Sequence, residues 1–141
     1  MAVIGFHFTK ILTEKTKNAV GKINVSNNVV LIDVKEAKIN VGDAKQKGIE
    51  FKFNYKSKFE PEIGYISLEG AALFVAKEAK IKESLTKWEK EKKLPPEVLQ
   101  EVYNHLLEKC TVEALFLGRD MGLPPHVPLP KISGDKKNKK E

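Results

Sequence analysis

The chain has 141 residues, 41% of them hydrophobic and 31% charged, with a formal net charge of +6 and a single cysteine, Cys110. That length suits one domain around one core, and no apolar run approaches the roughly 20 residues that cross a bilayer, which argues against membrane insertion. Met1–Lys10 lacks the basic and apolar segments of a secretory signal, so a cytoplasmic location is expected, and a lone cysteine excludes an internal disulfide.

Ile4, Phe6 and Phe8 alternate with Gly5, His7 and Thr9, which predicts a first strand with one apolar face. Asn18–Gly21 and Ser26–Asn28 carry turn chemistry, and the β-branched run that follows predicts a strand over about 29–39. Gly42, Asp43 and Gly48 bound a polar connection. Ile49, Phe51, Phe53 and Tyr55 then alternate with Glu50, Lys52, Asn54 and Lys56, the cleanest strand pattern in the chain. Pro61 and Gly64 mark a turn before a fourth strand, Tyr65 to Val75, in which Gly70 implies a bulge or a close backbone approach. The short polar connections predict successive antiparallel pairing of these strands.

From Lys77 the period changes: Ile81, Leu85 and Trp88 recur every three or four residues among Lys and Glu, the pattern of a charged amphipathic helix. Pro95 and Pro96 interrupt it, and Pro96 with Glu97 opens a second helix. Leu99, Val102, Leu106, Cys110, Ala114, Leu117 and Met121 form the stripe of that long helix, which Gly122 closes. Pro124, Pro125, Pro128 and Pro130 stiffen the following segment. Residues 133–141 have no apolar anchor and read as a disordered, lysine-rich tail. The last eleven residues carry +3 of the total charge, so the remaining 130 carry only +3. The fold class expected is α+β, a four-stranded antiparallel sheet followed by a charged helix and a long amphipathic helix.

No catalytic residue, metal site or cofactor motif emerges. His7, His105 and His126 lie on separate segments with no Cys or second His at ligand spacing. Glu101, His105 and Glu108 share a helix face at spacings of four and three, read as a polar outer face. Cys110, at its helical spacing, reads as a small buried hydrophobe. Two features stand out: the aromatic row Phe51, Phe53, Tyr55 and Phe59 beside Tyr65 and Phe74, and the Pro-rich segment from Gly122 to Pro130. The first reads chiefly as a core face under the long helix. The second reads as a strap along the domain, a groove wall or a ligand for another module.

The order of these pieces resembles the SecB family of protein-export chaperones. The residues that carry the resemblance are Gly70-Ala71-Ala72-Leu73-Phe74 on the fourth strand, then Arg119, Gly122-Leu123-Pro124-Pro125 and Leu129-Pro130-Lys131-Ile132, within a span of roughly 4–132. The resemblance implies a holdase that binds unfolded client polypeptides through apolar surface and assembles as a homo-oligomer, dimer or tetramer. It would place Phe51, Phe53, Tyr55, Phe59, Tyr65, Phe74, Leu123, Val127 and Leu129 in peptide binding. It would place Leu99, Val102, Leu106, Cys110 and Leu117 of the long helix in the oligomer interface. The chain departs from the family in being basic rather than acidic, in its longer charged helix, and in having only residues 133–141 where relatives have another helix. These departures bear on docking to a SecA-type motor and leave open a holdase for another client pathway, such as an antitoxin. The alternative is a nucleic-acid or ribosome-associated protein, whose aromatic strands stack bases and whose lysine tail meets phosphates. A third reading, a small-molecule-binding α+β domain, requires a pocket with convergent polar groups.

Overall fold

The computed structural model describes residues 2–18, 20–42 and 44–128. Leu129 and the lysine-rich tail lie outside the described residues. Six elements follow one another: strands β1 (Ala2–Lys15), β2 (Asn24–Val41), β3 (Ala44–Glu60) and β4 (Gly64–Val75), then helices α1 (Glu78–Glu91) and α2 (Pro96–Met121). The fold is α+β, as the hydrophobic periods predict.

The strands are longer than their apolar cores. Ser26–Asn28, expected as a turn, pairs with Lys56, Ser57 and Lys58 inside the β2–β3 ladder. The local turn preference of these residues is outweighed because Asn27 has tertiary partners: the Ser57 hydroxyl donates to its Oδ1 at 2.7 Å and its Nδ2 donates to the His126 carbonyl at 3.0 Å. The connection expected from 42 to 48 is likewise mostly strand, since the ladder continues to Val41 and Ala44.

Strand order differs from simple succession. The sheet runs β1-β4-β3-β2, all neighbours antiparallel, so β1 and β2 are the two edges. The link from β1 to β2 crosses the end of the sheet past the β3–β4 connection. It is held there by the Thr16 N–H, which donates to the Ile63 carbonyl at 2.7 Å. A polar link of this length therefore bridges the whole sheet instead of closing a hairpin.

Gly70 confirms the expected close approach. A Cβ at this position would meet the His7 carbonyl at 2.2 Å and the Phe8 Cα at 2.9 Å. The ladder between β1 and β4 shifts register beside it, between Phe8 and Lys10.

Both helices cover one sheet face, α1 over β2 and β3, α2 over β4, β1 and β2. The odd residues of β3, Phe51 to Phe59, point into this layer. So do Ile66, Leu68, Ala72 and Phe74 of β4, and Val98, Val102, Leu106, Cys110 and Ala114 of α2 seal the layer from above. The opposite sheet face carries polar pairs, Lys35 with Glu50 at 3.3 Å and Asn54 with Ser67 and Glu69, beside the exposed apolar Val30 and Leu12.

The helix ends follow their sequences. Lys92 takes the left-handed conformation after α1 and its N–H bonds the Trp88 carbonyl at 2.8 Å. Gly122, with φ of 73°, ends α2, its N–H and that of Leu123 reaching back to Arg119 and Gly118. This double bond pattern is the Schellman ending, and it turns the chain back onto the domain.

Candidate peptide-binding surface

The aromatic row named from the sequence is brought together, but beneath the helices. Phe51, Phe53, Tyr55, Phe59 and Phe74 each expose 2% or less of their surface. They form the core of the chain because α2 has a continuous apolar stripe wide enough to cover them. Tyr65 lies apart, half-buried at the open sheet face, with Lys56 Nζ 5.3 Å from its ring centroid. Leu123 is buried where α2 ends and Val127 is half-buried.

The helix stripe behaves similarly. Val102, Leu106 and Cys110 are wholly buried against the chain's own sheet, while Leu99 and Leu117 are half-buried at its margin. The apolar side chains that α2 leaves in solvent are Leu107, Val112 and Phe116, each between 41% and 51% exposed.

Two grooves meet at one of these residues. The first, about 470 Å³, lies between β1 and α2 and is lined by Phe6, Phe8, His105 and Val112 with Glu108, Lys109 and Glu113 at its rim. The second, about 440 Å³, is lined by Val112, Leu115, Phe116, Arg119 and the turn Leu123-Pro124-Pro125. Arg119 stands over the Phe116 ring at 5.4 Å, an apolar floor with a cationic edge. Sharing Val112, the two form one apolar track along α2. The track lies beside β1, an edge strand on which Val3, Ile4, Ile11 and Leu12 are exposed.

Phe6, Phe8 and Phe116 are absent from the site residues read out of the sequence. The signal for Phe6 and Phe8 was present, since they alternate in the first strand. Only their facing α2 across the sheet makes them groove residues. Phe116 lies off the α2 stripe between Ala114 and Leu117, so an outward-facing aromatic was also legible there.

His105 lines the first groove with Glu108, but its ring packs against aromatic neighbours. Its ring lies edge-on to Phe6 at 5.5 Å and to Phe74 at 5.7 Å, and its Nε2 is buried without a partner. Burial, then Lys109, hold its pKa below the ordinary value, while Glu108 acts in the opposite direction. His126 is 5% exposed, packs edge-on to Tyr55 at 6.1 Å, and is lowered by burial.

Burial pushes the Cys110 thiol up to about 12, so it is no nucleophile near neutral pH. Among the described residues no group of three or more His, Cys, Asp or Glu converges as metal ligands would, and no helix is long and apolar enough to cross a membrane.

No protein-family model and no curated protein sequence matches the chain. Among solved structures, it is similar to the Mycobacterium tuberculosis Rv1957 SecB-like chaperone in complex with a ChAD peptide from the Rv1956 HigA1 antitoxin. The likeness has a TM-score of 0.57 at 12% identity and covers 93% of this chain and 86% of the other. The fold is therefore SecB-like, a likeness of architecture alone.

Proposed function

We propose that this chain is a holdase chaperone that keeps extended or unfolded polypeptides from aggregating, without chemistry of its own. The observation that carries this reading is the apolar track from Phe6 and Phe8 through Val112 and Phe116 to Leu123-Pro124-Pro125, lying along an unpaired strand edge. A free edge offers backbone donors and acceptors to any extended chain, and the track receives alternate side chains with little selectivity. The SecB-like neighbour was solved with a peptide bound, which supports polypeptide as the ligand class.

The chain acts as a homo-oligomer, a dimer or tetramer, which shields part of β1 and of the outward α2 residues when no client is held. The buried aromatic row then supports the track from beneath. Clients drawn from export or from an antitoxin both suit such a surface.

A nucleic-acid reading has one observation in its favour, Tyr65 with Lys56 above it on the face that also bears Lys52 and Lys58. A single test separates the two. Mass by light scattering is measured beside suppression of aggregation of an unfolded model client at low and high salt. An oligomer that holds client equally well in high salt supports the holdase, because apolar contacts are not screened. A monomer without holdase activity, together with oligonucleotide binding that falls steeply with salt, sinks it in favour of nucleic acid.

A further inference from the structure

The corner between α1 and α2, toward the opposite end of α2 from the Phe116 groove, holds a cavity of about 380 Å³ against the β2 edge. Its apolar walls are Leu31 of β2, Leu94 of the corner, and the rings of Trp88 and Tyr103. Its charged groups are of one sign. Lys92 and Lys93 line it, no carboxylate among the described residues does, and among those residues neither lysine is ion-paired.

The geometry of Lys92 is built in. Its left-handed backbone, fixed by the N–H bond to Trp88, brings Nζ to 5.5 Å from the centroid of the Trp88 ring. Trp88 is 9% exposed and its indole N–H is buried with no hydrogen-bond partner. An aromatic and aliphatic cavity lined by two lysines that are not ion-paired among the described residues, with no carboxylate in its lining, is complementary to an anionic group attached to an apolar body.

We infer that this corner binds an apolar carboxylate, the body of the ligand lying between Leu31, Leu94 and Tyr103 and its carboxylate between Lys92 and Lys93. The volume suits an aryl-alkyl acid, a size at the lower end of small-molecule sites. The site is separate from the proposed client surface and goes beyond the holdase reading.

Trp88 is the only tryptophan of the chain, so its fluorescence reports on this corner directly. The purified full chain is titrated with phenylbutyrate and, separately, with phenylbutanol at low ionic strength, by fluorescence with calorimetry alongside. Saturable binding of the acid at least about tenfold tighter than the alcohol is expected. In Lys92→Gln/Lys93→Gln the preference should fall to within about twofold with the alcohol's affinity unchanged, and Lys92→Arg/Lys93→Arg should keep it. Circular dichroism establishes that both variants are folded. Equal affinity for acid and alcohol, a preference that survives the glutamine variant, or no heat and no fluorescence change with either ligand overturns the inference.

Discussion

Phe6 on β1 stacks against Phe53 on β3, ring centroids 5.4 Å apart and planes 20° from parallel, although β4 runs between their strands. The contact passes over Gly70, which lies opposite Phe8 on one side and opposite Phe53 on the other. A missing side chain on β4 lets two rings of an edge strand reach the centre of the sheet. It couples the proposed client track to the core.

Gly70→Ala tests this coupling. Its Cβ would meet backbone at the His7 carbonyl and the Phe53 ring edge at 3.0 Å, so β1 or the ring has to shift. A loss of about 1–3 kcal/mol is expected, the usual effect of overpacking. Urea unfolding measures it, and an unchanged midpoint would show that β1 yields freely.

Core and track should separate cleanly in a pair of truncations. Phe53→Ala removes a wholly buried ring and should cost about 3–5 kcal/mol. Phe116→Ala, at a half-exposed ring, should change stability by no more than about 0.5 kcal/mol yet weaken suppression of client aggregation. Aggregation assays on Phe116→Ala at matched folding decide the point, and full activity would remove Phe116 from the track.

Stability should fall as pH drops below the ordinary histidine value of about 6.5. Burial lowers the pKa of His126, and chiefly burial that of His105, so the folded chain disfavours the protonated rings that the unfolded chain accepts. The unfolded state then binds more protons between its own pKa and the lower folded one. The stabilisation is therefore complete above the unfolded value and declines as pH falls. Denaturation midpoints from pH 7.5 to 5.5 should show this decline, and His126→Phe should flatten it. A flat profile in the unsubstituted chain would contradict the burial of both rings.

A charge on the free edge should block association through it. Ile11 is 45% exposed on β1, so Ile11→Lys should leave stability within about 0.5 kcal/mol while disfavouring strand addition from a second copy. Light scattering is the check. A mass unchanged from that of the unsubstituted chain would place the interface of the proposed oligomer elsewhere, with the outward α2 residues as the next candidates.

The local periods decided which segments are strand and which are helix. The alternation from Ile49 to Lys56 and the stripe from Leu99 to Met121 each bury one face whatever their neighbours are, so element type, the α+β class and the inert, buried Cys110 were all legible in the residues. Strand order was not, because it depends on the Thr16 bond to Ile63 across the sheet end, a contact that no spacing between neighbours encodes. The strand state of Ser26–Asn28 was hidden for the same reason, since its partner His126 is 99 residues away.

The apolar track proposed for clients and the corner proposed for an apolar acid belong wholly to the tertiary structure. Sequence identified the aromatic residues, but their side of the helix layer was settled only when α1 and α2 together closed over one face of the sheet. Burial of an apolar face is a property of one segment, whereas the exposure of a groove is a property of two segments meeting. Phe8 and Val112 line the same groove only because β1 is an edge beside α2.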